Sequence, residues 1–312
     1  MIRFLTQRLS EAIVVILIVS VMVFLLVHMM PGDPVLTMLG LDATESQIIR
    51  LREELGFNDP LAIQFWHWLT QVLSGDLGQS ITYREPVLDI LMVRLPVTAI
   101  LGLCAFGVAV VFGILAGMIS AMNRGTWIDG LVTVAATLGL ATPIFWLGVV
   151  AIYFFSLHLG WLPTQGYVSF MDDPVGALRH MAMPVLALSF APMAAIARQT
   201  RSSVLEVIHQ DYVRTAWSKG LSGRKIMLRH VLRNALMPIM TLMGVHLNSL
   251  LGGSVIVETV FNLPGMGRLI VNSVFDRDIQ VIQSCILVFA SIVIVVNLLV
   301  DLSYGILDPR TR

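Results

Sequence analysis

The sequence predicts an all-α integral membrane protein with six transmembrane helices. Of its 312 residues, 56% are hydrophobic and only 13% are charged, whereas about a quarter of the residues in a soluble domain are charged. Six stretches contain no Asp, Glu, Lys or Arg and approach or exceed the roughly 20 residues that cross a bilayer. Basic residues are concentrated on one side of these stretches. These features make lipid the main solvent of the chain.

The six predicted spans follow one another along most of the chain. They cover residues 12–30, 97–122, 131–157, 181–197, 235–257 and 279–300. The fourth span is short and contains Pro184 and Pro192, which a buried helix tolerates when the freed carbonyls find partners. Pro143 and Pro192 are candidate bends around a pore.

The distribution of basic residues predicts the orientation of the spans. With the amino terminus in the cytoplasm, thirteen of the 20 Lys and Arg residues lie on the cytoplasmic side, eight of them between Arg198 and Arg233. This excess follows the positive-inside rule. We therefore expect both termini in the cytoplasm, with residues 1–30 forming the amino terminus and first span and residues 305–312 the carboxyl-terminal tail.

Residues 31–96 are predicted to form a small folded periplasmic segment between the first two spans. Thr44 and Gln47 have the spacing of a capping box at the start of a helix. Pro60 suits the first turn of a second helix that runs to about Ser74. The apolar face of this second helix suits either the membrane surface or packing onto the rest of the outer face.

The chain lacks the residues that ATP hydrolysis or other catalysis requires. The phosphate-binding loop of an ATPase ends in Lys followed by Ser or Thr, but Lys219 is followed by Gly220 and Lys225 by Ile226. His28, His158 and His180 have no metal-ligand spacing, and the zero net charge with scarce lysine indicates no nucleic-acid partner. We expect no catalytic residue, metal site or cofactor in this chain.

The segment 198–234, between the fourth and fifth spans, is too long to be a simple connector. Asp211 can cap a short helix, which Gly220 can end in the left-handed conformation. Ser222 can cap a second, amphipathic helix that leads into the fifth span. A helix of about eight residues is not stable alone in water, so contacts must hold it, and a docking partner is one source of them.

Two stretches of this segment carry a specific pattern. They read Asp-Tyr-Val-Arg-Thr-Ala-Trp-Ser-Lys-Gly-Leu at 211–221 and Arg-His-Val-Leu-Arg-Asn-Ala-Leu-Met-Pro at 229–238. The pattern resembles the loop by which type I import permeases of the ATP-binding-cassette (ABC) superfamily contact their ATPase, in the peptide and nickel branch and its first (B-type) membrane subunit. The resemblance assigns ATPase coupling to Asp211, Tyr212, Arg214, Thr215, Ala216, Gly220 and Leu221. In such a lever, Ala216 would allow close approach, Tyr212 would offer an aromatic contact and Gly220 would permit a sharp exit.

Further stretches that resemble this family extend over nearly the whole chain. They are Met-Pro-Gly-Asp-Pro at 30–34, Gly-Asp-Leu-Gly at 75–78 with Ser80, Arg-Leu-Pro at 94–96, the segments 252–261 and 264–268, Arg-Asp at 277–278, Asn-Leu-Leu-Val-Asp at 297–301 and Leu-Asp-Pro-Arg at 307–310. The ordered set implies the type I ABC importer fold over residues 97–304.

The fifth span is the predicted pore-lining helix, because polar groups at membrane depth face protein or water. Its candidate substrate-path residues are His246, Asn248, Ser249 and Ser254. Glu258 then precedes a stretch rich in glycine and proline that includes Gly265. This stretch predicts a re-entrant or lid-like segment at a periplasmic gate.

The resemblance implies a pore subunit of the bacterial inner membrane that does not itself hydrolyse ATP. The implied partners are a second homologous permease, two ABC ATPase subunits that hold ATP and Mg, and a periplasmic solute-binding protein. The expected function is translocation of di- or oligopeptides or similar small solutes. Nickel or a metal chelate is the alternative substrate within the family.

Two other classes of protein make different demands on the sequence. An ion-coupled secondary transporter would work without an ATPase and would need a membrane-buried carboxylate, which the predicted spans lack. An intramembrane protease would need a serine and a histidine inside the bilayer. Its loose motif, Gly-Leu-Ser at 220–222, lies instead in the most basic loop.

Overall fold

The computed structural model describes residues 2–29, 44–54 and 58–307, and within them the chain is helical. The helices are α1 (Ile2–His28), α2 (Glu45–Glu54), α3 (Leu61–Leu73), α4 (Val87–Met122), α5 (Trp127–Ala141), α6 (Ile144–His158), α7 (Pro174–Val207), α8 (Asp211–Ser218), α9 (Gly223–Val260), α10 (Met266–Asp276) and α11 (Ile279–Leu307). Five are long and apolar enough to cross a membrane, and the pair α5 and α6 can supply a sixth crossing. The predicted all-α membrane class is confirmed. The motif at 30–34 and residues 308–310 of the last motif lie outside the described residues.

The chain divides into two units, of which the first comprises residues 1–96 and 268–312. Here α1 contacts α11 and α3. The ring of Phe24 meets that of Phe65 edge-on, with centroids 5.4 Å apart. The helices predicted between the first two spans are α2 and α3. The backbone N–H of Thr44 donates to Gln47 Oε1 at 2.9 Å, which is one half of the predicted capping box.

Two stretches that resemble the permease family meet within this first unit. Ser80 Oγ donates to Asp278 Oδ2 at 2.5 Å, and the backbone N–H of Thr82 donates to the same oxygen at 3.1 Å. The other carboxylate oxygen accepts a longer bond from the N–H of Val281, in the first turn of α11. Because Asp278 is fully buried, it fixes the loop before α4 to the start of α11.

The second unit, residues 97–267, is built around α4, α7 and α9. Its apolar contacts form three layers, which run from Leu101, Leu188 and Val257, through Ala109, Ile196 and Ile239, to Ala121, Val204 and Val231. We call the first layer the Glu258 end and the third the α8 end. Helix α7 is the central element, because its buried residues extend from Ala177 to Val204. Pro184 and Pro192 are both buried inside this continuous helix.

The predicted span 131–157 is a pair of helices, α5 and α6, bent by 107°. Thr142 at the break has an extended backbone, as a residue before proline prefers. At one extremity, Asp129 of α5 bonds to Ser120 near the end of α4. At the other, Ile144 and Ile152 of α6 pack against the layer at the Glu258 end. The pair therefore runs from the α8 end to the Glu258 end of the unit.

Candidate functional site

Helix α8 is seated on the apolar layer at its end of the second unit. Val213 and Ala216 lie three residues apart, and hence on one helix face, and are 0% and 5% exposed. They pack in one cluster with Val204 of α7 and Ile226 and Val231 of α9. Ala216 therefore allows close approach of α8 to this chain's own core.

Tyr212 ties α8 to the start of α9. Its hydroxyl accepts a hydrogen bond from Asn234 Nδ2 at 2.9 Å. The same amide group donates to the carbonyl of His230 at 2.8 Å. Tyr212 remains 43% exposed. The tyrosine therefore braces the short helix while much of its surface stays open.

The two ends of α8 have different chemistry. The helix begins at Asp211 itself, after Gln210, so Asp211 stands in the first turn, where a carboxylate complements the helix dipole; it does not cap the helix. At the other end, Gly220 has a φ of +73°, and its N–H donates to the carbonyl of Trp217 at 2.9 Å. The predicted left-handed stop is therefore present. Leu221 follows it and packs on the edge of the same apolar cluster.

Apart from the partly exposed Tyr212 and Trp217, the side chains of α8 that avoid the core are polar and exposed. The Arg214 side chain is 73% exposed and that of Asp211 is 97% exposed, and the two form a loose pair at 3.7 Å. Such a surface pair contributes little to stability. Thr215 is also exposed. Asp211, Arg214 and Thr215 thus give the chain a polar surface on a helix whose opposite face is buried.

The four polar residues predicted to line the pore occupy different environments in α9. Ser254 is 1% exposed and bonds to the carbonyl of Leu251, so it is enclosed by the chain. Ser249 is exposed and bonds to the carbonyl of His246. His246 and Asn248 are partly buried. The His246 Nε2 atom is buried without a hydrogen-bond partner among the described residues.

Glu258 is fully buried at the end of α9, beneath the loop that follows it. Thr98 Oγ1 donates to Glu258 Oε1 at 2.6 Å, and the backbone N–H of Met266 donates to Thr98 Oγ1 at 2.8 Å. The N–H of Leu263 bonds to the Glu258 carbonyl at 2.9 Å. A Cβ on Gly265 would run into the Glu258 carboxylate. We call this set the Glu258 knot; it holds the loop closed over the carboxylate.

The sequence interpretation missed the partners of two buried carboxylates. Thr98 meets Glu258 from 160 positions away, and Arg201 meets Asp129 from 72. The predicted spans contain no acidic residues because each was defined as an uncharged stretch. Asp129 lies just before the predicted span 131–157, and Glu258 lies just after the predicted span 235–257. Among the described residues, no group of three or more His, Cys, Asp or Glu side chains is placed to hold a metal ion.

Comparison with known proteins gives consistent family matches. Residues 113–312 match the model described as binding-protein-dependent transport system inner membrane component. Residues 1–102 match the model of the amino-terminal part of such membrane components.

Similar proteins match over their full length. A Brucella abortus (strain 2308) protein named as a peptide transport system permease is 42% identical over 98% of each chain. The glutathione transport system permease protein GsiC of Pectobacterium atrosepticum is 43% identical over 100% of this chain and 99% of its own. GsiC of Escherichia coli O6:H1 has the same identity and coverage.

The fold also resembles a solved structure of low sequence identity. A chain of the MetNI methionine ABC transporter, in an inward-facing conformation, aligns with a TM-score of 0.56 at 16% identity. The alignment covers 71% of this chain and 97% of that one. This similarity concerns the fold alone.

Proposed function

The chain belongs to the family of binding-protein-dependent transport system inner membrane components, and from this membership we propose that it forms half of a translocation pore for di- or oligopeptides or similar small solutes. It is the membrane-spanning permease subunit of an ABC importer, and it is not an enzyme. Relatives named for peptide and for glutathione transport support a substrate of that size.

Membership implies that an ATPase and a binding protein work with this multi-pass inner-membrane chain. In the proposed assembly, two ATPase subunits hold ATP and Mg, and a second homologous permease faces this chain across the pore. The excess of basic residues between Arg198 and Arg233 supports cytoplasmic termini and a cytoplasmic α8. The segment between the first two spans is then periplasmic, where the binding protein delivers its solute.

The observation that carries the coupling role is the division of α8 into a buried and an exposed face. Val213 and Ala216 fix the helix to the chain's own core, so a push on the helix moves the core with it. Asp211, Arg214 and Thr215 stay exposed. Charged and polar side chains on a firmly held helix suit a surface that receives the ATPase. The Glu258 knot is the corresponding candidate for the periplasmic gate, at the opposite end of the unit.

Cross-linking of the purified complex tests the docking surface. In a chain whose two cysteines are replaced by alanine, we expect Thr215→Cys to cross-link to the ATPase through a short maleimide-to-amine reagent. Val175→Cys is the matched control, because Val175 is 67% exposed at the start of α7 and belongs to the opposite end of the unit. Cross-linking to the ATPase from position 175 and not from 215 would contradict the assignment.

Uptake into vesicles that contain the full complex tests the substrate class. We expect ATP-dependent uptake of a labelled di- or tripeptide in the presence of the binding protein, and competition by unlabelled peptide. Competition by Ni²⁺ alone would favour the metal alternative. Uptake by this chain without any ATPase would contradict the importer assignment and would favour a secondary transporter.

A further inference from the structure

A saturated ion pair joins three segments of the second unit. Arg201 of α7 approaches Asp129 of α5 with both arms of its guanidinium group, Nε to Oδ1 at 2.7 Å and Nη2 to Oδ2 at 2.8 Å. Ser120 Oγ also donates to Oδ1 at 2.6 Å, and the backbone N–H of Gly125 donates to Oδ2 at 3.0 Å. Each carboxylate oxygen therefore has two donors. We call these four residues the Asp129 node.

The geometry of the node is unusually specific for an ion pair. A bidentate guanidinium–carboxylate contact fixes orientation as well as distance. The Asp129 side chain is only 9% exposed and that of Arg201 is 32% exposed, so neither group is free to sample other partners. Lysine at position 201 would keep the charge but would lose the fork. The node therefore fixes the angle between α5 and α7, as well as their separation.

The node lies directly beneath the seat of α8. Ser120 is followed by Ala121, and Arg201 precedes Val204 by one helical turn. Ala121 and Val204 are both members of the apolar cluster that holds Val213 and Ala216. A displacement of α8 is passed through this cluster to both positions, and the node connects them to α5.

Helix α7 packs very closely on both α4 and α5. A Cβ on Gly117 of α4 would lie 2.5 Å from Thr200 Cβ of α7, and a Cβ on Gly139 of α5 would lie 2.8 Å from Ala194 Cβ. Real Cβ atoms essentially never come so close, so α7 packs directly on the backbones of both neighbours. Packed interiors transmit strain because they have few voids. Helix α7 is therefore packed tightly on α4 beside the node and on α5 near the far end of that helix.

We propose that the Asp129 node is the joint through which movement of α8 is passed to the bent pair α5 and α6. Arg201 and Asp129 are positioning residues that contact neither the ATPase nor the solute. The node carries the displacement into α5, whose far end breaks at Pro143 and continues as α6 toward the Glu258 end. This proposal rests on the assigned importer function, in which α8 receives the ATPase. It adds a route by which movement at the ATPase contact is transmitted to the pair α5 and α6.

The test compares transport with ATP consumption in the reconstituted complex of permeases, ATPases and binding protein. Arg201→Gln removes the guanidinium group and shortens the side chain, and Asp129→Asn removes the carboxylate charge with little change of size. We expect the ATPase to remain bound and to hydrolyse ATP, while solute transported per ATP falls about fivefold or more, at the lower end of typical coupling between sites. Arg198→Gln is the matched control, since Arg198 is exposed on the same helix, and it should keep the wild-type ratio.

The double variant separates a joint from a general loss of packing. If the two residues act only through each other, Asp129→Asn combined with Arg201→Gln should lower the ratio no further than either single change. Multiplied effects would overturn the proposal. So would variants that lose folded complex in proportion to activity while the surviving complex transports normally per ATP. Failure of the proposed importer function gives a different result from failure of the joint. In that case the wild-type permeases would transport the solute without any ATPase.

Discussion

Replacing Thr98 by valine would remove the centre of the Glu258 knot while nearly preserving its shape. The Thr98 hydroxyl donates to Glu258 Oε1 and accepts from the N–H of Met266. Thr98 is 2% exposed, so solvent cannot take the place of the hydroxyl. Thr98→Val therefore deprives one buried acceptor and one buried donor of this partner.

The size of the effect follows from these two bonds. Leaving a buried polar group without its partner costs about 1–3 kcal/mol, and more when the group is charged. Two such losses give about 2–6 kcal/mol. With an unfolding entropy of about 2.1 cal/mol/K per residue, each kcal/mol lowers the melting temperature of a chain of 312 residues by about 1.5 °C. We expect Thr98→Val to melt about 3–9 °C below the wild type.

Thermal unfolding of the detergent-solubilised chain is the direct assay. Thr98→Ser is the matched control, because it keeps the hydroxyl and loses only a methyl group. Combined with Glu258→Gln, Thr98→Val should cost less than the sum of the two single changes, since both act on the same bond. Equal melting temperatures for the valine and serine variants would refute the knot as a source of stability.

Two further changes test local features with internal controls. Gly220→Ala should lower the free energy of unfolding by about 1–2 kcal/mol, because a side chain disfavours the left-handed conformation and nothing lies within 4 Å to add a clash. Gly130→Ala, in helix α5 with similar open space, is the control and should raise the free energy of unfolding by about 0.5–1 kcal/mol. Equal effects of the two changes on thermal unfolding would contradict the assigned backbone role of Gly220. Ser80→Ala should speed protease cleavage of the loop before α4, because Asp278 loses a buried donor. Thr82→Ala keeps its backbone bond to Asp278 and should not, so equal cleavage rates would show that Ser80 does not hold the loop.

The location of the spans could be predicted from the sequence, but their helical limits could not. A search for uncharged stretches finds the part of a helix that suits lipid and stops at the first charge. Helix α7 continues past Arg179, Arg198 and Arg201 to Val207, and α4 begins ten residues before its predicted span. Charged residues at helix ends reach water or a partner, so they do not mark where a helix stops.

The outcome at each proline depended on tertiary surroundings. The helix axis bends by 107° at the break between α5 and α6 that contains Pro143, while Pro192 lies buried inside the unbroken α7. Both were candidate bends because a proline removes one backbone donor and crowds the preceding turn. The packing around α7 compensates for that loss at Pro192. No local pattern in the sequence reports that packing.

The candidate site was predicted more completely where it is local. The stop at Gly220 and the short helix before it follow from adjacent residues. The pairs Thr98 with Glu258 and Asp129 with Arg201 depend on the register between distant helices. A single sequence contains the donors and acceptors of such pairs but no measure of which ones meet.

The anchoring of α8 has a consequence for assembly. A segment that folds only on contact loses part of its binding free energy to ordering. Val213 and Ala216 are already packed against the chain's own core, so α8, the proposed docking helix, is preorganised. Under this proposal the permease can mature in the membrane before any ATPase arrives, and binding of the ATPase requires no further folding of α8.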